Sequence, residues 1–570
     1  MNRWGLFAAV LVLLSPAAAR AACSGAGQSW SCPAGATTAD VSDAIAGASD
    51  GATITFANGA YTLDGLAPFS TSAGVTLACA TVGGCTITTT TTVFGFSGWS
   101  AGVVDHLYRI TGFVFDSGDA PPIWWGTGCN PCGGATFTKI RIDHNTFNVS
   151  PGAVAILLDG VANAGDSFYG VVDHNKVTSS EQAGIFQWVG AIGKPTAPAS
   201  QLGTGDNMFI EDNDLEFPSV GNASALGCMD AWGVTAGLVV RHNTSKNCLW
   251  TTHGVTHGGG PSNVEFYANT VVMDSGAVSA GVGDCYRCFH HQGSGTFVAF
   301  DNAFTASAGK NGEVISVAHY RDYANSVDDG LPICDGTETS PPDGNRAPAA
   351  TWRGYPCWNQ PGRDAATLAY KPMYAWNNRW SDTNAEITLV SPDFGGTPDY
   401  HPIHMIENRE WYNAVSASEQ SSASAPFDGT TGMGFGTLAN RPATCTTSTE
   451  TAFGNGAAGV GYFAKDVGPE GTLFTCSATN TWTKYYEPFT YPHPLVGGGP
   501  TEDGGVGDAG SSDAGASDAG SGAGDGGIGS GSSGGCGCEA VPARSASGAL
   551  LLMLAWLVLR IARASRRSAS

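Results

Sequence analysis

The chain has 570 residues, 13% of them charged, and a formal net charge of −23 at pH 7. A chain this acidic lacks the basic face that phosphate backbones require, so we predict no nucleic-acid partner. The same charge repels a polyanionic glycan unless a local basic patch or a bound cation intervenes. Glycine is abundant, at 80 residues, and no long stretch shows sustained helical periodicity, which favours an all-β fold.

Residues 1–21 are typical of a secretory signal peptide. They contain a basic start at Arg3, an apolar run at residues 6–14 and small residues at 19–21. Cys23 leaves a lipoprotein signal open as an alternative, although Arg20 lies three positions before it, where such a signal prefers an aliphatic residue. Either signal predicts an exported protein.

A short apolar strand followed by asparagine recurs along the chain. The repeats are IRIDHNTF (140–147), GVVDHNKV (170–177), MFIEDNDL (208–215), LVVRHNTS (238–245), VEFYANTV (264–271) and FVAFDNAF (297–304). Their asparagines are Asn145, Asn175, Asn213, Asn243, Asn269 and Asn302. A fixed element with spacers of variable length is typical of a solenoid, whose stacked coils align side chains in columns. We expect the stacked asparagines to point inward and to hydrogen-bond to one another and to the turn backbone.

The sequence DVSDAIAGASDGATITFANGAYTL, at residues 40–63, predicts a short amphipathic helix, then a strand and a turn. It resembles the N-terminal cap of the pectate-lyase-like right-handed β-helix superfamily, and the resemblance extends over residues 40–378. It implies an all-β protein with a right-handed parallel β-helix over residues 22–400, whose first coil the cap covers. It implies no activity, because this fold supports lyases, hydrolases, adhesins and inert spacers.

The repeat stops near residue 400, and residues 401–495 predict a small β-rich module of short hairpins. Together with GYPCWNQPGR at residues 354–363, this part resembles segments of uncharacterised bacterial β-helix proteins. We expect the module to pack on the C-terminal end of the solenoid. Its aromatic residues form either a core, which we favour, or a platform for sugars; they are Trp482, Tyr485, Tyr486 and Tyr491.

The C-terminal part predicts a surface-sorting signal. Residues 496–535 are a Gly/Ser/Asp/Ala tract that predicts a disordered tether, and residues 536–570 hold a GCGC motif, an apolar run and an arginine-rich tail. The last segment resembles the myxobacterial C-terminal sorting domain (MYXO-CTERM), which implies cleavage near Cys536 or Cys538 and attachment at the cell surface. Its apolar run is shorter than the roughly 20 residues of a spanning helix, and an ordinary single-span anchor is the alternative. We expect a monomer that contacts the membrane through this segment only.

The remaining cysteines fall into neighbouring pairs, which in an exported chain predict disulfides that hold loops. The pairs are Cys23/Cys32, Cys79/Cys85, Cys129/Cys132, Cys228/Cys248, Cys285/Cys288, Cys334/Cys357 and Cys445/Cys476. Two of them, in CNPC and CYRC, leave zinc binding or redox chemistry open as alternatives.

One column of the stacked repeats carries charge. Two residues before each asparagine, we expect an outward column of Asp143, Asp173, Glu211, Arg241, Tyr267 and Phe300. Carboxylates in adjacent coils, roughly 4.8 Å apart, repel one another unless a cation bridges them or water screens them. We therefore predict Ca²⁺ as a cofactor of Asp143, Asp173 and Glu211, beside Arg241, as pectate lyases arrange calcium and arginine on this fold. A solvated charged face or weak salt bridges are the alternative.

A second register brings histidines together. His257 and His290 each lie seven residues before a repeat, so stacking predicts His257 directly over His290. Asp230 enters one coil earlier, and the next coil brings Tyr320 and Arg321. An outward imidazole with a carboxylate partner acts as a general base near neutral pH. Stacked, hydrogen-bonded turn residues are the alternative.

The phrase NGEVISV at residues 311–317 resembles the signature GE-x-IISVKS of the alginate lyase and chondroitinase B family. The catalytic lysine of that family falls at Ala318, which cannot act as a base, and His319 is shifted by one residue. The resemblance therefore implies only Glu313, as a calcium ligand.

Two functions remain open. The first is an enzyme that acts on extracellular polysaccharide as a uronate-polymer lyase. In this reaction Arg321 or Ca²⁺ would neutralise the uronate, His257 or His290 would act as the base, and Tyr320 would act as the acid. A glycoside hydrolase with Asp230 and Glu313 as its carboxylates is the alternative chemistry. The second function is a non-catalytic adhesin or glycan-binding spacer. Histidines in an open groove favour the enzyme, and buried or scattered histidines favour the binding protein.

Overall fold

The structure is a computed structural model, and part of the chain is described in it. The described residues are 22–96, 102–126, 135–159, 167–189, 201–220, 227–232, 237–253, 261–274, 285–293, 295–307, 310, 312–319, 333–337, 343–345, 352–358, 360–364, 367–392, 401–419, 426–447 and 459–498. The predicted signal peptide, most of the tether and the predicted sorting signal lie outside these residues.

The chain is a right-handed parallel β-helix, as the sequence predicts. Each complete coil contributes one strand to each of three parallel sheets. The first sheet contains Ser29–Cys32, Ala52–Phe56, Val75–Cys79, Gly102–Thr111, Ala135–Asp143, Ser167–Asp173, Asn207–Glu211, Gly237–Arg241, Asn263–Tyr267, Thr296–Phe300, Met373–Trp376 and Trp411–Glu419. The second contains Gly59–Thr62, Cys85–Thr88, Phe113–Gly118, Thr146–Val149, Lys176–Thr178, Asp214–Glu216, Thr244–Lys246, Thr270–Met273, Ala303–Ala306 and Arg379–Trp380. The third contains Ala67–Pro68, Phe94–Phe96, Ile123–Gly126, Val154–Asp159, Gly184–Val189, Met229–Trp232, Trp250–His253, Phe289–Gln292, Ile315–Val317 and Leu389–Val390.

The first coil is capped as predicted. The helix Thr38–Gly47 begins with a capping box, in which Thr37 and Asp40 bond to each other's backbone amides. The helix buries Val41 and Ile45 on the core. The strand Ser24–Ala26 pairs antiparallel with the first coil, so the described part of this end exposes no continuous apolar strand edge.

The turn between the first and second sheets repeats with little variation. The residue before the asparagine has a left-handed backbone, with φ of 55° at His144 and 54° at His174. The asparagine then points inward, and its amide nitrogen donates to the side-chain oxygen of the asparagine in the next coil, at 3.1 Å for Asn145 and Asn175. The predicted asparagine ladder is confirmed, and Asn378 extends it by one coil at 2.8 Å from Asn302.

Strands beyond the last complete coil continue the first sheet. Met433–Gly436 and Gly461–Ala464 add in parallel, and Thr472–Ala478 and Thr481–Tyr486 add antiparallel. Residues 487–496, which we call the C-terminal strap, then run back over the outer face of the first sheet. The module is therefore an extension of that sheet, and its side chains cover the sheet's outer face as well as its end.

Several further elements lie in the described residues. Asp343–Asn345 and Arg353–Cys357 form an antiparallel pair, His401–His404 is a short helix, and Leu438–Asn440 and Val496–Gly498 are 3₁₀ turns. Six of the seven predicted disulfides are present, and Cys129/Cys132 lies outside the described residues. Among the helices that are described, none has the length and apolarity needed to cross a membrane.

Candidate functional site

The predicted acidic column exists, but its face is not solvated. Strand register places Asp143, Asp173, Glu211 and Arg241 one above another in consecutive coils of the first sheet. All four are fully buried, each with a relative exposure of 0%. They are buried because the outer face of this sheet is covered, which the regular spacing of the repeats does not reveal.

Arginines neutralise the column. Arg109 donates to both oxygens of Asp143, at 2.7 and 2.6 Å, and Arg141 donates to both oxygens of Asp173, at 3.1 and 3.0 Å. Arg241 donates to Glu211 at 2.6 Å. Arg109 and Arg141 pair in register, two residues before Thr111 and Asp143 in their own strands, so they share the outer face, and each bonds to the aspartate of the next coil.

The C-terminal strap completes this network. Arg241 donates to the carbonyl oxygens of Phe489 and Thr490, at 2.7 and 3.0 Å, and Arg141 donates to that of Leu495 at 2.9 Å. The backbone amide of His493 donates to Glu211 at 2.9 Å. The buried charges therefore hold the strap against the first sheet.

Ion pairing outweighs burial in the pKa of Asp143 but not in that of Glu211. Burial alone would raise the pKa of Asp143, but hydrogen bonds from Arg109 and His144 outweigh it and lower that pKa to about 2. Burial raises the pKa of Glu211, and the charge of Arg241 opposes this rise without cancelling it. Because guanidinium groups already hold the oxygens, the column does not fit an oxygen-lined calcium site without displacing arginines. Calcium binding by Asp143, Asp173 and Glu211 stays a prediction.

The third sheet carries the polar column that contains Asp230 and His290. Register pairs Gln187 with Asp230, Thr251 with His290, and His290 with Ser316. Met229 pairs with Trp250, which places Asp230 next to Thr251. The side chains of this column alternate with buried apolar ones and so lie on the outer face of the sheet.

His290 and Asp230 share this column without being adjacent. Two coil spacings separate them, which is roughly 10 Å. Thr251, and not His257, pairs with His290 in register, and His257 itself lies outside the described residues. The offset arises because the loop after Trp250–His253 is longer than the loop after Phe289–Gln292, so counting back from the next repeat misaligns the third sheet.

Ser316 orients the imidazole of His290. The Nδ1 atom of His290 lies 2.6 Å from the hydroxyl oxygen of Ser316. The adjacent His291 points the other way, into the core, where its Nδ1 atom lies 3.1 Å from the Thr252 hydroxyl. Both His290 and Asp230 are buried, at 2% and 1% relative exposure.

The other predicted site residues are not brought to this column. Glu313 lies at the turn before Ile315–Val317, where its carboxylate is 3.3 Å from the Arg287 guanidinium. Tyr320 and Arg321 lie outside the described residues, so the structure does not test their predicted roles.

Two polar clusters escaped the sequence analysis. In the first, buried Glu410 accepts hydrogen bonds from Tyr355 at 2.8 Å and from Arg409 at 2.6 Å, and burial raises its pKa against the charge of Arg409. The second is the partly exposed pair His144 and His174 at the turn after the first sheet. The repeated DHN in two consecutive repeats was the available signal for this pair.

Comparison with known proteins adds little to this geometry. No family model matches the chain, and no curated protein matches it. A solved structure similar to it is the alginate lyase from Paenibacillus sp. str. FPU-7, at 16% identity and a TM-score of 0.26, covering 50% of this chain and 99% of that one. A similarity at that TM-score identifies no family, substrate or reaction for this chain. The structural class of this protein therefore rests on its fold alone, which is a right-handed parallel β-helix. Its disulfides are typical of exported proteins.

Proposed function

We propose that this exported β-helix protein acts on extracellular polysaccharide at the outer face of its third sheet, with His290 as the proton acceptor. The observation that carries the proposal is the alignment of Asp230, Thr251, His290 and Ser316 in consecutive coils. Rigid stacked strands hold these groups in fixed positions, as acid–base chemistry requires. Residues 1–21 would direct export, and residues 536–570 would retain the protein at the cell surface.

The chemistry is either elimination or hydrolysis. In elimination, His290 takes the proton next to the uronate carboxyl group and the glycosidic oxygen leaves; in hydrolysis, it takes a proton from the attacking water. Elimination also requires a cation beside the uronate. Among the described residues, the strands of the third sheet contain neither lysine nor arginine, and we propose Arg321 or bound Ca²⁺ as the source of this cation.

The test is turnover by the full chain. Pectate, alginate and glycosaminoglycans are incubated with the protein, with and without a calcium chelator, and the ultraviolet absorbance of unsaturated uronate is followed. New reducing ends are measured on neutral glycans in parallel. We expect His290→Ala to abolish turnover and His106→Ala, which removes a histidine of another sheet that pairs with Asp50 at 2.9 Å, to leave it unchanged. Equal turnover by both variants would remove His290 from the mechanism.

The burial of His290 and Asp230 favours a second function, non-catalytic binding of the same polysaccharides. In that case the rod displays a glycan-binding surface, and its polar column has a structural role only. Retention of the protein on immobilised glycan, without unsaturated products or new reducing ends, would establish this alternative.

A further inference from the structure

Two histidines of consecutive coils form a stacked pair on the surface. His144 and His174 each occupy the left-handed turn position between the first and second sheets. Their rings are parallel within 4°, with centroids 4.9 Å apart. Their side chains are 34% and 42% exposed, so solvent reaches both.

A buried carboxylate orients each ring. The Nδ1 atom of His144 lies 2.9 Å from Asp143, and that of His174 lies 3.0 Å from Asp173. Arginines donate hydrogen bonds to both carboxylates, so the carboxylates act as acceptors and Nδ1 carries the hydrogen in each neutral ring. The Nε2 atom of each ring then holds a lone pair, and no described residue bonds to either Nε2.

This is the arrangement of histidine ligands in metal sites. A histidine that binds a metal through one nitrogen commonly donates its other N–H to a carboxylate, which fixes the tautomer and the ring orientation. Here two such carboxylate–histidine units repeat at the spacing of the coils. The protein therefore supplies two imidazole donors of the same tautomer at neighbouring turns of one corner.

We propose that His144 and His174 bind a divalent transition-metal ion of the Zn²⁺ class through their Nε2 atoms. Asp212 occupies the same turn position in the next coil and can add a carboxylate oxygen, since only one of its oxygens accepts a bond from Tyr491, at 2.8 Å. Zn–N bonds are about 2.0–2.1 Å long, so the two exposed rings must tilt toward each other when the ion binds. Water completes the coordination.

The donors select the metal. Imidazole nitrogen suits Zn²⁺, Cu²⁺ and Ni²⁺, whereas Ca²⁺ takes oxygen ligands. The oxygens of Asp143 and Asp173 are held by arginines, so the donors that remain at this corner are the two imidazole nitrogens and one oxygen of Asp212. The ion proposed here therefore differs in class from the Ca²⁺ predicted for the same two aspartates, and it would join two adjacent coils.

The test is Zn²⁺ binding by the full chain, prepared without a polyhistidine tag and titrated against a chromophoric chelator. The variants are His144→Asn and His174→Asn, because asparagine tolerates the left-handed backbone of this turn. The control is His106→Ala, since His106 also pairs with an aspartate but has no described histidine stacked on it. We expect each asparagine variant to lose at least about tenfold in Zn²⁺ affinity, and the control to bind like the wild type.

A second measurement does not depend on variants. Bound Zn²⁺ should protect His144 and His174 of the wild-type protein from carbethoxylation, mapped by mass spectrometry, while His106 stays reactive. Unchanged affinity in both asparagine variants, or no protection of the pair at saturating Zn²⁺, would overturn the proposal. Protection of the pair by Ca²⁺ in place of Zn²⁺ would overturn the assignment of the metal class.

Discussion

The Tyr486 hydroxyl donates a hydrogen bond to the Glu265 carboxylate over 2.5 Å, joining the last strand of the module to the first sheet. The other carboxylate oxygen accepts from the Gly203 amide at 2.7 Å. Burial raises the pKa of Glu265 to about 7, and these two hydrogen bonds oppose the rise. The charge of one glutamate therefore changes near neutral pH inside the interface between the module and the solenoid.

We expect the stability of the protein to fall as the pH rises toward neutrality. A glutamate with a pKa of about 7 in the folded state and 4.5 in the unfolded state stabilises the fold below pH 4.5. That contribution is lost as the pH rises through about 7, and it amounts to roughly 3 kcal/mol. Urea unfolding of Glu265→Gln at pH 5 and pH 8 should show a smaller pH dependence than the wild type.

Glu216→Gln is the matched control for this experiment, since Glu216 is exposed on the second sheet. Glu386 also has its pKa raised by burial to about 7, so the wild-type slope has more than one source. The difference between the Gln variant and the wild type isolates Glu265. An identical pH dependence in both proteins would contradict the assignment.

Because of His493 in the strap, we expect the stability of the protein to fall at acidic pH as well. Burial, together with the charges of Arg241 and Arg141, lowers its pKa from 6.5 to about 4 against the opposing charge of Asp173. Since the unfolded chain binds this proton more readily, stability should fall as the pH drops from about 6.5 toward 4. His493→Gln should flatten that limb in urea unfolding at pH 4.5 and 6.5, and an unchanged slope would show that His493 is solvated.

We expect the loss of one asparagine of the ladder to lower the free energy of unfolding strongly. Asn213 donates to the carbonyl oxygens of Val172 and Glu211 at 2.8 and 2.9 Å, and its side-chain oxygen accepts from the Asn175 amide at 2.9 Å. Asn213→Ala leaves these buried groups unpaired, at roughly 1–3 kcal/mol for each. We expect a loss of several kcal/mol in urea unfolding at pH 7.

The control for the ladder is Asn148→Ala, because Asn148 is only partly buried and bonds to Asp116 on the outer face of the second sheet. Its removal should cost about 1 kcal/mol or less. Similar losses for the two variants would mean that the inward ladder does not stabilise the coils more than surface hydrogen bonds do.

The ladder and the cap could be predicted from the sequence because they depend on local patterns. In each repeat the strand of the first sheet is followed by a two-residue turn whose second residue is the asparagine, so counting residues from the asparagine aligns the first sheet. The third sheet begins after loops of unequal length, and counting from the next repeat placed His257 where register places Thr251. Alignment by counting residues is therefore reliable close to the repeated asparagine, and it fails beyond loops of unequal length.

The burial of the acidic column could not be predicted from the repeats. The outward direction of Asp143 and Glu211 follows from strand alternation, but their cover comes from residues more than 200 positions later, in the strap. The pairs formed by Arg109 and Arg141 were readable in principle, since R-x-D and R-x-T recur in the outward positions of two neighbouring coils.

We expect the replacement of Arg241, which links the first sheet to the strap, to destabilise the protein. It bonds to Glu211 at 2.6 Å and to Phe489 at 2.7 Å, and its guanidinium lies 4.8 Å from the centre of the Phe209 ring. Arg241→Met keeps much of the side-chain volume but leaves Glu211 buried without its partner, which costs about 3–5 kcal/mol. Unfolding measurements should show this loss, and limited proteolysis should cleave the strap before the solenoid.

The design of this experiment separates charge from packing. Arg441→Met is the control, because Arg441 lies over the Phe474 ring, 4.5 Å from its centre, at a site where such contacts contribute about 0.5–1 kcal/mol. Adding Glu211→Gln to Arg241→Met removes the unpaired charge and should recover part of the lost stability. If the double variant is as unstable as Arg241→Met alone, the strap depends on the arginine's contacts with backbone carbonyls and aromatic rings, and the ion pair contributes little.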